Sequence, residues 1–89
     1  MQAYLARIHR YNPVYNAIVS LRDDDTLLAA AEAADRELDN GEYRGWMHGM
    51  PHAVKDLSDA EGLPTSSGSP IFAGQLADAD DLHIARIRE

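Results

Sequence analysis

Lys55 is the only lysine in the chain, and it lies in the run Gly49-Met50-Pro51-His52-Ala53-Val54-Lys55-Asp56-Leu57; the other seven basic residues are arginines. An ammonium on a half-buried strand is costly unless it is paired or becomes neutral. Lysine can lose its proton and act as a base, which arginine cannot do. The plainer alternative is a lysine whose stem runs over apolar surface and whose head reaches water. Other candidate constellations are weaker. Ser66-Ser67-Gly68-Ser69 suits turn formation and backbone hydrogen bonding, and a local dyad with Lys55 has no motif behind it. His48 and His52 are spaced i, i+4, but Gly49 and Pro51 exclude a regular helix and no third ligand is evident, so no metal site is expected. The aspartates at 23–25 and 78–81 lack the alternation, central glycine and terminal glutamate of a calcium loop. They read as helix caps and solvated faces. Neither a Gly-x-Ser-x-Gly elbow nor a Ser-x-x-Lys motif occurs, and no cofactor is called for.

Eighty-nine residues make one small domain or a piece of a larger one, able to bury roughly 60–65% of its unfolded surface. Apolar content of 45% with 26% charged residues is that of a globular chain. Eight basic against fifteen acidic residues give a net charge of −7. That balance opposes a nucleic-acid surface or an anionic membrane as partner. No apolar stretch is long enough for a membrane span, and no signal peptide is recognisable. The absence of cysteine fits a cytoplasmic location.

Several elements must position these residues. Residues 2–11 predict a helix with Tyr4, Leu5, Ile8 and Tyr11 on one side, stopped at Asn12-Pro13. Val14 to Leu21 is β-rich and predicts a short strand. Asp23–Asp25 offer N-caps to a helix bearing Leu27, Ala31, Ala34 and Leu38, closed by Asn40-Gly41. Residues 52–57 predict a second strand, on which residues 52 and 55 face opposite ways. Residues 58–75 read as an ordered loop. Asp78, Asp80 and Asp81 then cap a last helix with Leu82, Ala85 and Ile87. That helix meets no stop signal, and the first starts without a cap, which predicts a segment of a longer protein.

The run Gly45-Trp46-Met47-His48-Gly49-Met50-Pro51-His52-Ala53-Val54-Lys55-Asp56-Leu57 resembles the lysine motif of the amidase signature family. Those are serine amidases that include fatty acid amide hydrolase and the glutamyl-tRNA amidotransferase catalytic subunit. The likeness extends upstream through Tyr4-Leu5-Ala6-Arg7-Ile8, Tyr11-Asn12-Pro13 and Asn16-Ala17, and downstream through Gly62-Leu63-Pro64-Thr65 and Gly68-Ser69-Pro70. Met50 and His52 depart from the pattern, which has aliphatic or aromatic residues there; His52 is expected to pack behind the site without a catalytic role.

The resemblance implies an α/β fold, with residues 1–89 as the N-terminal part of an α/β/α layered amidase domain with a mixed sheet, cut at both ends. It implies hydrolysis of a carboxamide C–N bond through a Ser–cis-Ser–Lys triad, of which this chain carries only the lysine, Lys55. The nucleophilic and bridging serines lie downstream, in a Gly/Ser-rich stretch that Ser66–Ser69 does not match. Asp56 is assigned structural support. The substrate is a small-molecule amide, and the sequence leaves open which one, and whether the enzyme stands alone or works on charged tRNA. The isolated segment is expected to be inactive and, through exposed core surface, a homo-oligomer. The alternative is a non-catalytic, self-associating interaction module.

Overall fold

A computed structural model describes all 89 residues, which form three helices, α1 (Gln2–Tyr15), α2 (Asp24–Asp39) and α3 (Leu82–Arg88), and one 3-10 turn (Pro70–Phe72). The chain divides into two compact units, Met1–Pro51 and His52–Glu89. No strand or sheet forms, and the sole β pairing is an isolated antiparallel bridge between Pro64 and Leu76. The expected mixed α/β sheet is therefore corrected to a helical and loop architecture.

In the first unit the helix predicted to stop at Asn12-Pro13 runs on through Pro13 to Tyr15. Proline forfeits one intrahelical hydrogen bond, and the residue before it resists helical backbone. Asn12 offsets this with its side chain: Nδ2 donates to the Ile18 carbonyl at 2.8 Å and Oδ1 accepts from the Ile18 N–H at 2.9 Å. Asn16, in the left-handed conformation at φ 46°, then closes the helix by donating its N–H to the Asn12 carbonyl. Val14 and Tyr15, which β propensity assigns to a strand, are the last residues of α1 and are 80% and 74% exposed. β propensity expresses fit to a pleated, half-covered neighbour, and no neighbour is present. Leu5 is buried as expected, whereas Tyr4 is exposed and the Tyr11 ring lies under Arg7 and Arg10, 5.3 and 5.2 Å from their guanidinium carbons.

Helix α2 follows its sequence signals closely. The Asp23 carboxylate accepts from the Thr26 N–H at 2.8 Å and from its hydroxyl at 2.7 Å, which satisfies an orphan donor of the first turn. At the far end Glu42 donates its N–H to the Glu37 carbonyl and Gly41 to the Leu38 carbonyl. This is a Schellman closure, with Gly41 supplying the required positive φ, 82°. Leu27, Ala31 and Ala34 are half-buried, and Leu38 is exposed.

The second unit is an ordered loop system ending in α3. Residues 62–65 and 75–77 run antiparallel: Gly62 donates to Ala77, Ala77 to Leu63 and Thr65 to Gln75, each N–H···O at 3.0 Å. Pro64 cannot donate, which limits the ladder. Asp81 precedes α3 but does not cap it with its side chain. Its carboxylate instead accepts from the Asp59 N–H, and Asp80 accepts from the Glu61 N–H and pairs with Arg88. The helix faces differ from expectation too: Ile84 is buried, and Leu82 is 73% exposed. Leu5, Ala60 and Ile84 are the only buried apolar residues.

Candidate active site

The segment 51–55 is irregular, not the strand expected over 52–57. At Lys55 the chain turns back on itself: the Lys55 carbonyl accepts from the Leu57 N–H at 2.7 Å and the Ser58 N–H at 3.0 Å. That carbonyl is engaged within its own turn, and no neighbouring strand pairs with the segment. Lys55 is exposed rather than half-buried, and its ammonium takes part in no hydrogen bond or ion pair. His52 is exposed as well, so its expected packing behind Lys55 is not seen.

Asp56 is the best-connected side chain next to the lysine. Its Oδ1 accepts from the Ser66 N–H at 2.7 Å, and its Oδ2 accepts from the Ser66 hydroxyl at 2.5 Å and the Gly68 N–H at 3.1 Å. The Ser66 hydroxyl, with the Ser66 and Gly68 amides behind it, holds the Asp56 carboxyl below the usual aspartate range, partly opposed by desolvation. The recipient loop is a tight turn with Ser67 at φ 50° and Gly68 at φ 68°, closed by the Ser69 N–H on the Ser66 carbonyl. Two successive positive φ values are those of a type I′ turn, which glycine adopts freely. Ser69 accepts from the Ile71 N–H and starts the 3-10 turn. The serines thus shape turns as expected, and Ser66 spends its hydroxyl on Asp56. Sequence alone assigns Asp56 only a supporting role; the partners it supports lie ten and twelve residues away. The small-residue run at 66–69 is the available signal, since such a turn exposes amides that attract a carboxylate.

The first unit holds a separate polar cluster on the other half of the lysine-containing run. His48, its side chain 3% exposed, accepts from the Arg44 N–H through Nδ1 at 3.2 Å and lies 2.9 Å from Glu37 through Nε2. With Nδ1 accepting, the ring carries its proton on Nε2 and donates it to the carboxylate. Arg44 also pairs with Glu37. The Arg44 guanidinium first, and His48 after it, hold the Glu37 carboxyl below its usual range against desolvation. Both ring nitrogens of His48 are thereby occupied.

These carboxylates fix the sign of the acid response. Glu37 and Asp56 have folded-state values below their ordinary 4.5 and 3.8. In that window the unfolded chain binds more protons, so the stability they contribute is present above those ordinary values and is lost as pH falls through the lower, folded ones. Melting temperatures followed by circular dichroism are expected to hold between pH 7 and 5 and to fall below about pH 4. Glu37→Gln and Asp56→Asn should each lower the neutral-pH value and flatten the acid drop. An acid drop in both variants as steep as that of the parent would contradict this.

The comparisons with known proteins bear on the whole chain. The family model described as Amidase matches residues 1–89. The chain belongs to the amidase family. It is 37% identical over 87 residues to AmiD of Mycobacterium tuberculosis, named a putative amidase, an alignment covering 98% of this chain and 18% of that protein. It is 34% identical to an acylamidase of Rhodococcus erythropolis, over 98% of this chain and 18% of the relative. It is 42% identical over 73 residues to a glutamyl-tRNA(Gln) amidotransferase polypeptide of Chloroflexus aurantiacus, over 82% of this chain and 15% of the relative. The chain therefore spans less than a fifth of the length of these amidase-family relatives. No solved structure matches it. No helix is long and apolar enough to cross a membrane.

Proposed function

We propose that residues 1–89 are the N-terminal, lysine-bearing segment of an amidase that hydrolyses a carboxamide C–N bond through an acyl-enzyme, with Lys55 as the base. One observation carries this reading: a family match over the full segment whose only lysine has its backbone held by a turn and its ammonium uncommitted. The nucleophilic serine and a bridging serine are supplied from outside these residues. In the reaction the nucleophile's Oγ attacks the amide carbon while its proton passes through the bridging serine to Lys55 Nζ. The tetrahedral adduct collapses, the C–N bond breaks, and the leaving amine takes the proton back. Water then cleaves the serine ester. A lysine serves as base only where its ammonium is disfavoured by its surroundings, so the cover over Lys55 comes from the same outside residues. The names of the relatives suggest two substrate classes, acyl amides and the amide used in tRNA-dependent transamidation. Lys55→Ala in the complete protein, assayed on a simple acyl amide and on glutamine, tests the reading.

A second reading, a non-catalytic module that self-associates, draws on the exposed apolar side chains. Val14, Trp46, Ile71 and Leu82 are each 73% exposed or more, a load that promotes association. The 89-residue chain by itself is expected to sediment as a dimer or larger species and to leave a fluorophosphonate serine probe unreacted. A monomer across micromolar concentrations would remove the self-association, and covalent labelling would remove the inactivity.

A further inference from the structure

We propose that Asp56 is a positioning residue for Lys55, holding the base in register by clasping the Ser66–Gly68 turn, an inference that rests on Lys55 being the base of the reaction proposed above. Lys55 occupies an irregular segment, where no helix or sheet ladder fixes its backbone. Two local devices replace such a ladder. On one side the Lys55 carbonyl is held by the Leu57 and Ser58 amides. On the other, the residue joined to it by a single peptide bond is anchored by three hydrogen bonds to a turn ten residues on. That turn is itself closed by Ser69 on Ser66 and continues into the 3-10 turn capped by Ser69. Fixing Asp56 at both carboxylate oxygens therefore fixes where the Lys55 side chain departs from the backbone. A base must stand within about 0.5 Å of its productive place, and small displacements lose large factors in rate without much change in binding.

The chemistry of the clasp requires a carboxylate. Both oxygens accept, and two of the three donors are backbone amides that cannot reorient. An asparagine offers one acceptor and one donor. Whichever way its amide is turned, it opposes an N–H to the Ser66 or the Gly68 amide. Asp56→Asn keeps size and removes the clasp, and Ser66→Ala removes only the hydroxyl bond.

The test uses the complete protein, with functional sites counted by a covalent serine probe so that turnover is expressed per labelled site. A residue that merely supports folding changes the number of sites and the melting temperature while leaving turnover per site intact. Asp56→Asn is expected to lower kcat per site by roughly 10- to 100-fold with KM within about threefold, and Ser66→Ala by a smaller factor in the same direction. The double variant should be no worse than Asp56→Asn, since both act through one clasp. Unchanged kcat per site in Asp56→Asn, with Lys55→Ala inactive, overturns the positioning role and leaves the amidase reading standing. If Asp56→Asn yields no labelled sites, Ser66→Ala decides, and unchanged per-site turnover there overturns the proposal. Full activity in Lys55→Ala instead sinks the reading of Lys55 as base, and this inference with it.

Discussion

Lys55→Ala in the complete protein is expected to lower kcat/KM for amide hydrolysis by about 10²- to 10⁴-fold, the range ascribed to a positioned general base. A serine hydroxyl attacks an amide poorly unless its proton is removed as the bond forms. On the reading proposed above that proton ends on Lys55 Nζ, so truncation to a methyl group leaves the serine pair without an acceptor. Lys55→Arg is the sharper variant. It preserves the positive charge and most of the stem, so a lysine that only paired with a carboxylate or oriented substrate would be rescued by it in large part. A base would not be rescued, because a guanidinium stays protonated. The expected pattern is two equally inactive proteins that still bind a competitive amide inhibitor and melt near the parent temperature. Turnover within about tenfold of the parent in Lys55→Ala would refute the assignment. Activity in Lys55→Arg alone would point to a charge role.

How much of this is legible in the sequence differs from element to element, for physical reasons. Helix α2 is readable at both ends because its signals are local: a carboxylate three residues before the amide it caps, and a glycine at the position that needs positive φ. The family is legible from one contiguous run. The strands are not, because a strand is a statement about a partner. Val14–Leu21 and residues 52–57 have suitable composition, but pairing depends on residues that pattern reasoning cannot place beside them. The Asn12 clamp on Ile18 and the Asp56 clasp on Ser66 and Gly68 escape sequence reasoning for a related cause. Side-chain to backbone bonds across six to twelve residues leave no periodic trace. The exposure of Lys55 follows the same logic, since the half-buried position expected of it presumed a strand with a neighbour, and the segment forms neither.

Ile84→Ala is expected to unfold the second unit, and Leu82→Ala to leave it almost unchanged, the reverse of what the apolar pattern of α3 alone would predict. Ile84 is 3% exposed and Leu82 is 73% exposed. A buried isoleucine cut to alanine typically costs about 2–5 kcal/mol, from lost transfer energy and the cavity left behind. The second unit, residues 52–89, buries only Ala60 beside Ile84, and units of such size, below about 40 residues, are marginal without disulfides or metals. Its other supports are polar and include the Asp56 clasp and the bonds between 62–65 and 75–77; next to α3 they are the Asp59–Asp81 exchange, with Asp81 N–H donating to the Asp59 carbonyl at 2.9 Å, and the Asp80 links to Glu61 and Arg88. Hydrogen bonds of this kind lie on the surface and contribute modestly once water competes. Amide hydrogen exchange read residue by residue provides the check. In Ile84→Ala the Asp59, Glu61, Gly62 and Asp81 amides should lose protection, while amides within α2 keep theirs. Equal protection loss in Ile84→Ala and Leu82→Ala would show that α3 is held by its exposed edge, and the assignment of Ile84 as the anchor of the unit would fail.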